Sequence, residues 1–63
     1  MKMVKFEMED GIDIYINPDQ VKYVVPSWNN GKEISKIVMD KSSVYVKQQA
    51  VWVAMRLENM STP

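Results

Sequence analysis

The stretch VYVKQQAVWVAMRLENM, residues 44–60, decides the fold, because the spacing of its apolar side chains changes partway along. Val44, Tyr45 and Val46 are β-branched or aromatic and suit a pleated strand. From Lys47 onward the chain is rich in helix formers such as Gln48, Gln49, Ala50, Ala54, Met55, Arg56, Leu57 and Glu58. At about 100° of rotation per residue, Val46, Ala50, Val53, Ala54, Leu57 and Met60 gather into one stripe. The spacing predicts a helix over 47–60 that lays this stripe on a sheet, with 61–63 as a frayed tail. Val51 and Met55 form a second apolar line, and Trp52 is expected nearly opposite the core stripe, beside Gln48, Arg56 and Asn59. A helix apolar around so much of its girth is either deeply buried or an interface. A chain of 63 residues has little other protein with which to bury it.

Upstream, the pattern has the period of a half-buried strand. Val4, Phe6 and Met8 alternate with Lys5 and Glu7, and Ile12, Ile14 and Ile16 follow the Asp10-Gly11 turn signal. Residues 2–8 and 12–16 are therefore expected to form a hairpin. Asn17-Pro18-Asp19 punctuates the chain, since proline fixes φ and the two acceptors can bond their own backbone. Val21, Tyr23 and Val25 then mark a third strand, which Pro26 either confines to an edge or ends. Asn30-Gly31 signals a tight hairpin turn into a fourth strand over 33–39, and a fifth strand lies around 44–46.

Two registers are open for the second hairpin. If Asn30-Gly31 is the whole turn, Trp28, Val24, Ile37 and Met39 share one face and Tyr23, Val25, Ile34 and Val38 the other; a bulge near Pro26 would re-sort them. Both options leave apolar residues on both faces of the sheet, of which one helix can cover one. The fold expected is α+β, a four- or five-stranded antiparallel meander followed by one helix, all in a single domain spanning 1–63.

Composition narrows the chemistry. The chain is 46% hydrophobic and 25% charged, an ordinary globular balance, and eight basic residues cancel eight acidic ones. Such neutrality removes the bulk attraction that nucleic acid or an anionic membrane exerts on a basic protein. The absence of cysteine leaves no disulfide framework and no thiolate metal site, and the absence of histidine removes the usual general base. Charges at Lys5, Glu7, Glu9 and Asp10 interrupt any apolar run near the start, so neither a signal peptide nor a membrane span is expected, and the cytoplasm is the default location.

Each candidate site has a plainer alternative. Glu7, Glu9, Asp10 and Asp13 form the densest acidic cluster, open in principle to acid–base work or a hard cation, but they match no calcium-loop pattern and read as a solvated hairpin. Ser27 and Ser42-Ser43 have no base partner, and two glycines cannot build a phosphate cradle. No catalytic residue, metal ligand, cofactor or small-molecule substrate is therefore assigned. Tyr23 with Lys22, Lys32 and Lys36 could offer a stacking and phosphate-binding surface to single strands, with Trp28 beside them; the alternative is that these lysines guard strand edges against aggregation. Trp52, Val51 and Met55 on the helix, with Trp28 in the loop, are the candidate protein-binding residues, since tryptophan is enriched at hot spots and methionine tolerates imperfect fits.

The segment Gly11 to Val25, GIDIYINPDQVKYVV, and the later VYVKQQAVWV of residues 44–53 resemble the small flagellar FlbD-like family. The sharpest shared element is Ile16-Asn17-Pro18-Asp19. Two departures are the missing glycine in Asp40-Lys41-Ser42-Ser43 and the longer PSWNNGK segment, residues 26–32. The resemblance implies no catalytic residues and no cofactor, only a small accessory role. Together with the surplus of apolar helix surface, the expectation is a non-enzymatic interaction module that docks to itself, as a homodimer or larger assembly, or to a bigger protein as an accessory or inhibitory factor. Binding of single-stranded nucleic acid is the disfavoured alternative.

Overall fold

The computed structural model describes residues 2–61, apart from the side chains of Met60 and Ser61. The expected frayed tail thus lies outside the described residues except for Ser61, which closes the helix. Five antiparallel strands and a C-terminal helix form an α+β fold: β1 (Val4–Glu7), β2 (Asp13–Ile16), a 3₁₀ turn (Pro18–Gln20), β3 (Val21–Asn29), β4 (Lys32–Met39), β5 (Ser43–Val46) and α1 (Ala50–Ser61). The strands divide into two sheets, β1-β2 and β3-β4-β5. The Lys47 amide bridges them by donating to the Glu7 carbonyl at 2.9 Å, and the Lys47 ammonium lies 3.3 Å from the Glu7 carboxylate.

The first turn is tied locally. Met8 N–H donates to Ile12 O at 2.9 Å, Asp10 Oδ1 accepts from Ile12 N–H at 3.0 Å, and Gly11 adopts a φ of 88° that a side chain would resist. Asn17 caps the 3₁₀ turn, its side chain accepting from the Asp19 N–H at 3.0 Å.

Asn30 and Gly31 are the whole turn of the second hairpin, with φ of 54° and 77°, and Asn29 pairs Lys32. The irregularity in the ladder falls between Val21 and Tyr23, not near Pro26. β3 consequently runs through Pro26 to Asn29, with Pro26 opposite Ser35. A proline survives there because β3 is an edge strand and its donor-less nitrogen can face away from β4. In an antiparallel ladder, bonded and non-bonded pairs alternate. Pro26↔Ser35 is then a non-bonded pair, and Ser35 and Ile37 turn their backbone groups toward Val46 and Val44 of β5.

The core is Val4, Phe6, Ile16, Ile37, Val46, Val53 and Leu57, with Ile14, Val21, Val24, Met39 and Val44 packed around it. Helix α1 lies across β1, β3, β4 and the 3₁₀ turn. It starts at Ala50 rather than Lys47 because the residues before it are spent on the sheet: the Lys47 amide bonds Glu7, and the Gln48 carbonyl accepts the Ser35 hydroxyl at 2.6 Å. Gln49 then supplies the first helical acceptor, to Val53 N–H at 3.0 Å. Ala54, expected in the buried stripe, is exposed, since the stripe centres on Val53 and Leu57.

Ser35 is fully buried, the one polar side chain in the described core. Ser35→Ala strands the Gln48 carbonyl at the strand-to-helix junction, and a loss of about 1–3 kcal/mol is expected in urea unfolding. An unchanged midpoint would mean that the hydroxyl is dispensable there.

Candidate interaction surfaces

Val53 and Leu57 face the core, so at about 100° per residue Met55 lies opposite them on α1, with Val51 and the exposed Asn59 equally to either side; Val51 and Met55 are the apolar members of that face. They are 66% and 58% exposed. Trp52 stands on the flank instead of opposite the core. It is 43% exposed, and its indole meets Phe6 edge-on, with ring centroids 6.2 Å apart and planes at 78°. The Arg56 guanidinium stacks 5.0 Å from the Trp52 ring and 6.0 Å from Phe6. Trp52, expected nearly opposite the core stripe, lies roughly 120° from the direction of Val53 and Leu57 at about 100° per residue, close enough to the flank for its indole to reach Phe6. The helix outer face thus carries two mostly exposed apolar side chains and Asn59, beside an indole held at one edge. The i, i+4 spacing of Trp52 and Arg56 was the sequence signal for that stack.

The sheet's second face is open except around Ile34, which is 4% exposed. Strand alternation places Lys32, Ile34, Lys36 and Val38 of β4 with Tyr23, Val25 and Ser27 of β3 and Tyr45 of β5. Tyr23 and Tyr45 are exposed, and the Lys36 ammonium lies 5.9 Å from the centre of the Tyr45 ring. Lys32 is exposed beside the turn. Lys22 sits at the ladder irregularity and pairs with Asp40 at 3.5 Å. Trp28 is 64% exposed near the hairpin tip, and the alternation separates it from Tyr23, so the two do not form one stacking platform.

Glu9 reaches this region from the first hairpin, its carboxylate accepting from the Asn29 side-chain amide. Beneath that contact Glu9, Ser27, Trp28, Asn29, Ile34 and Tyr45 line a shallow hollow of about 340 Å³. The clasp explains why Ile34 is buried although it lies outside the central core. Nothing in the local sequence announced it, because Glu9 and Asn29 are twenty positions apart.

The acidic cluster is dispersed by its partners. Glu7 meets Lys47, Asp13 lies 4.0 Å from Lys5, Glu9 holds Asn29 and Asp10 serves its own turn. Among the described residues no group of three or more acidic, histidine or cysteine side chains could hold a metal ion. Among them, too, no helix is long and apolar enough to cross a membrane. No family model matches the chain, and neither a curated protein nor a solved structure matches it.

Proposed function

We propose that this chain is a small non-enzymatic interaction module that docks through Val51, Met55 and the exposed edge of Trp52, either to a second copy or to a larger protein. One observation carries the reading: Val51 and Met55 sit one helical turn apart, opposite the buried stripe, and are mostly exposed among the described residues. Apolar surface withdrawn from water on docking yields about 25 cal/mol per Å², and the Arg56-stacked indole offers a side chain already restrained before a partner arrives. The resemblance to the FlbD-like family points the same way, toward an accessory role; inhibition of a larger enzyme by covering part of it is one form of such docking. The reading sets the domain in the cytoplasm, and a cysteine-free chain can fold in either redox compartment. Sedimentation velocity from low to high micromolar concentration tests the self-docking form. A sedimentation coefficient that climbs with concentration supports a second copy as the occupant, and a constant monomer value removes it and leaves a larger protein.

A second reading, binding of single-stranded nucleic acid, is favoured by the common side of Tyr23, Tyr45, Lys32 and Lys36 on the open sheet face. Zero net charge and the Glu9 carboxylate beside Tyr45 weigh against it. An oligonucleotide that leaves the protein's fluorescence unchanged at low salt ends this alternative.

A further inference from the structure

We infer that the free edge of β5 accepts a short, extended, basic peptide segment as an added strand, with a lysine or arginine side chain seated beside Glu9 and Asp10. The argument begins with backbone bookkeeping. Val44 and Val46 turn their N–H and C=O groups toward Ile37 and Ser35 of β4, so Ser43 and Tyr45 turn theirs the other way. The direction of the Lys47 amide, two residues past Tyr45, agrees: it leaves β4 and bonds Glu7 of β1. Beyond that single bridge the two sheets part, because the first hairpin turns at Met8 to Ile12 instead of continuing along β5. Among the described residues the outward backbone groups of Ser43 and Tyr45 have no partner.

The gap they face is a second hollow of about 340 Å³, lined by Met8, Glu9, Asp10, Ser43, Val44 and Tyr45. Two outward donors and two outward acceptors beside a side-chain hollow are what strand addition requires: backbone bonds supply attraction, and the hollow selects alternate side chains. The other long edge is closed to this, since Pro26 interrupts β3 with a residue that has no N–H. Charge selects the occupant. Glu9 and Asp10 have no cationic partner among the described residues, whereas the neighbouring carboxylates of Glu7 and Asp13 are met by Lys47 and Lys5. A cationic side chain with an aliphatic stem fits Met8, Val44 and Tyr45 along its length and the two carboxylates at its tip. This surface is separate from the helix ridge, and the inference stands whether or not that ridge docks.

The experiment is a titration of the full chain, labelled with ¹⁵N, against a capped pentapeptide alternating valine with lysine. The amide signals of Ser43 and Tyr45 are expected to move and their exchange with solvent to slow. A pentapeptide with glutamate in place of lysine, and one N-methylated at the pairing residues, are expected not to bind. Glu9→Gln combined with Asp10→Asn preserves the acceptors of the clasp and the turn while removing both charges, and is expected to weaken the lysine peptide about fivefold at low salt. The inference is overturned if Ser43 and Tyr45 stay unmoved at the highest peptide concentration, if only Val51 and Met55 respond, or if the acidic peptide binds equally well.

Discussion

Replacing Phe6 by alanine is expected to remove about 3–5 kcal/mol of stability, the range for excising a buried aromatic ring. Phe6 is 2% exposed and joins the core to the helix flank: it belongs to the buried cluster with Val4, Ile37 and Val53, and its ring meets Trp52 at 6.2 Å between centroids and lies 6.0 Å from the Arg56 guanidinium. A core this small supplies only about 3–5 kcal/mol in total, so the variant should be largely unfolded at 25 °C, visible as lost near-ultraviolet dichroism. Phe6→Leu retains most of the volume, should remain folded, and should release Trp52, shifting its emission to the red. A Phe6→Ala protein with the parent's urea midpoint would show that the helix does not depend on this platform.

The second large effect concerns docking rather than folding. Val51→Glu with Met55→Lys leaves the net charge unchanged and sets a Glu four residues ahead of a Lys on an exposed helix, worth about 0.2–0.5 kcal/mol in favour of the fold. Both native side chains are mostly exposed among the described residues, so monomer stability should stay within about 0.5 kcal/mol of the parent. Any association through the ridge, by contrast, now has to bury two charges. Two central contacts at about 2 kcal/mol each correspond to roughly a hundredfold weaker binding or more. Calorimetry or sedimentation on the double variant would read this directly, and an assembly of undiminished affinity would exclude the ridge.

The division between what the residues announced and what they hid follows from range. The strands, the Asn17 cap, the Asn30-Gly31 turn and the helix were legible because each depends on neighbours within a few positions. The sorting of Val24 and Ile37 from Tyr23 and Val38 stayed open in the sequence, because a bulge near Pro26 would have reversed it; the structure decides it, with a two-residue turn and the irregularity placed between Val21 and Tyr23. What failed to show was set by contacts across the chain. Ser35 capturing the Gln48 carbonyl and Glu7 capturing the Lys47 amide delay the helix to Ala50, and no local propensity encodes either bond. The same holds for the contact of Trp52 with Phe6 and for the split between the two sheets, where β1 turns away after a single bridge. Of the candidate site, Val51 and Met55 were legible because exposure opposite a buried stripe is a helical property; the groove beside β5 was not, because it exists only where two strands from opposite ends of the sequence diverge.

The central claim is that the outward ridge of α1 is the surface that meets a partner. Its most direct test places a photo-crosslinking amino acid at Met55, at Tyr23 on the open sheet face, and at Asp19 on the exposed 3₁₀ turn, each in the native host under identical illumination. The account predicts one discrete protein adduct from position 55 and none from position 19, with the adduct abolished when Val51 is also changed to glutamate. Adducts of equal yield from all three positions, or an adduct from position 23 alone, would contradict it.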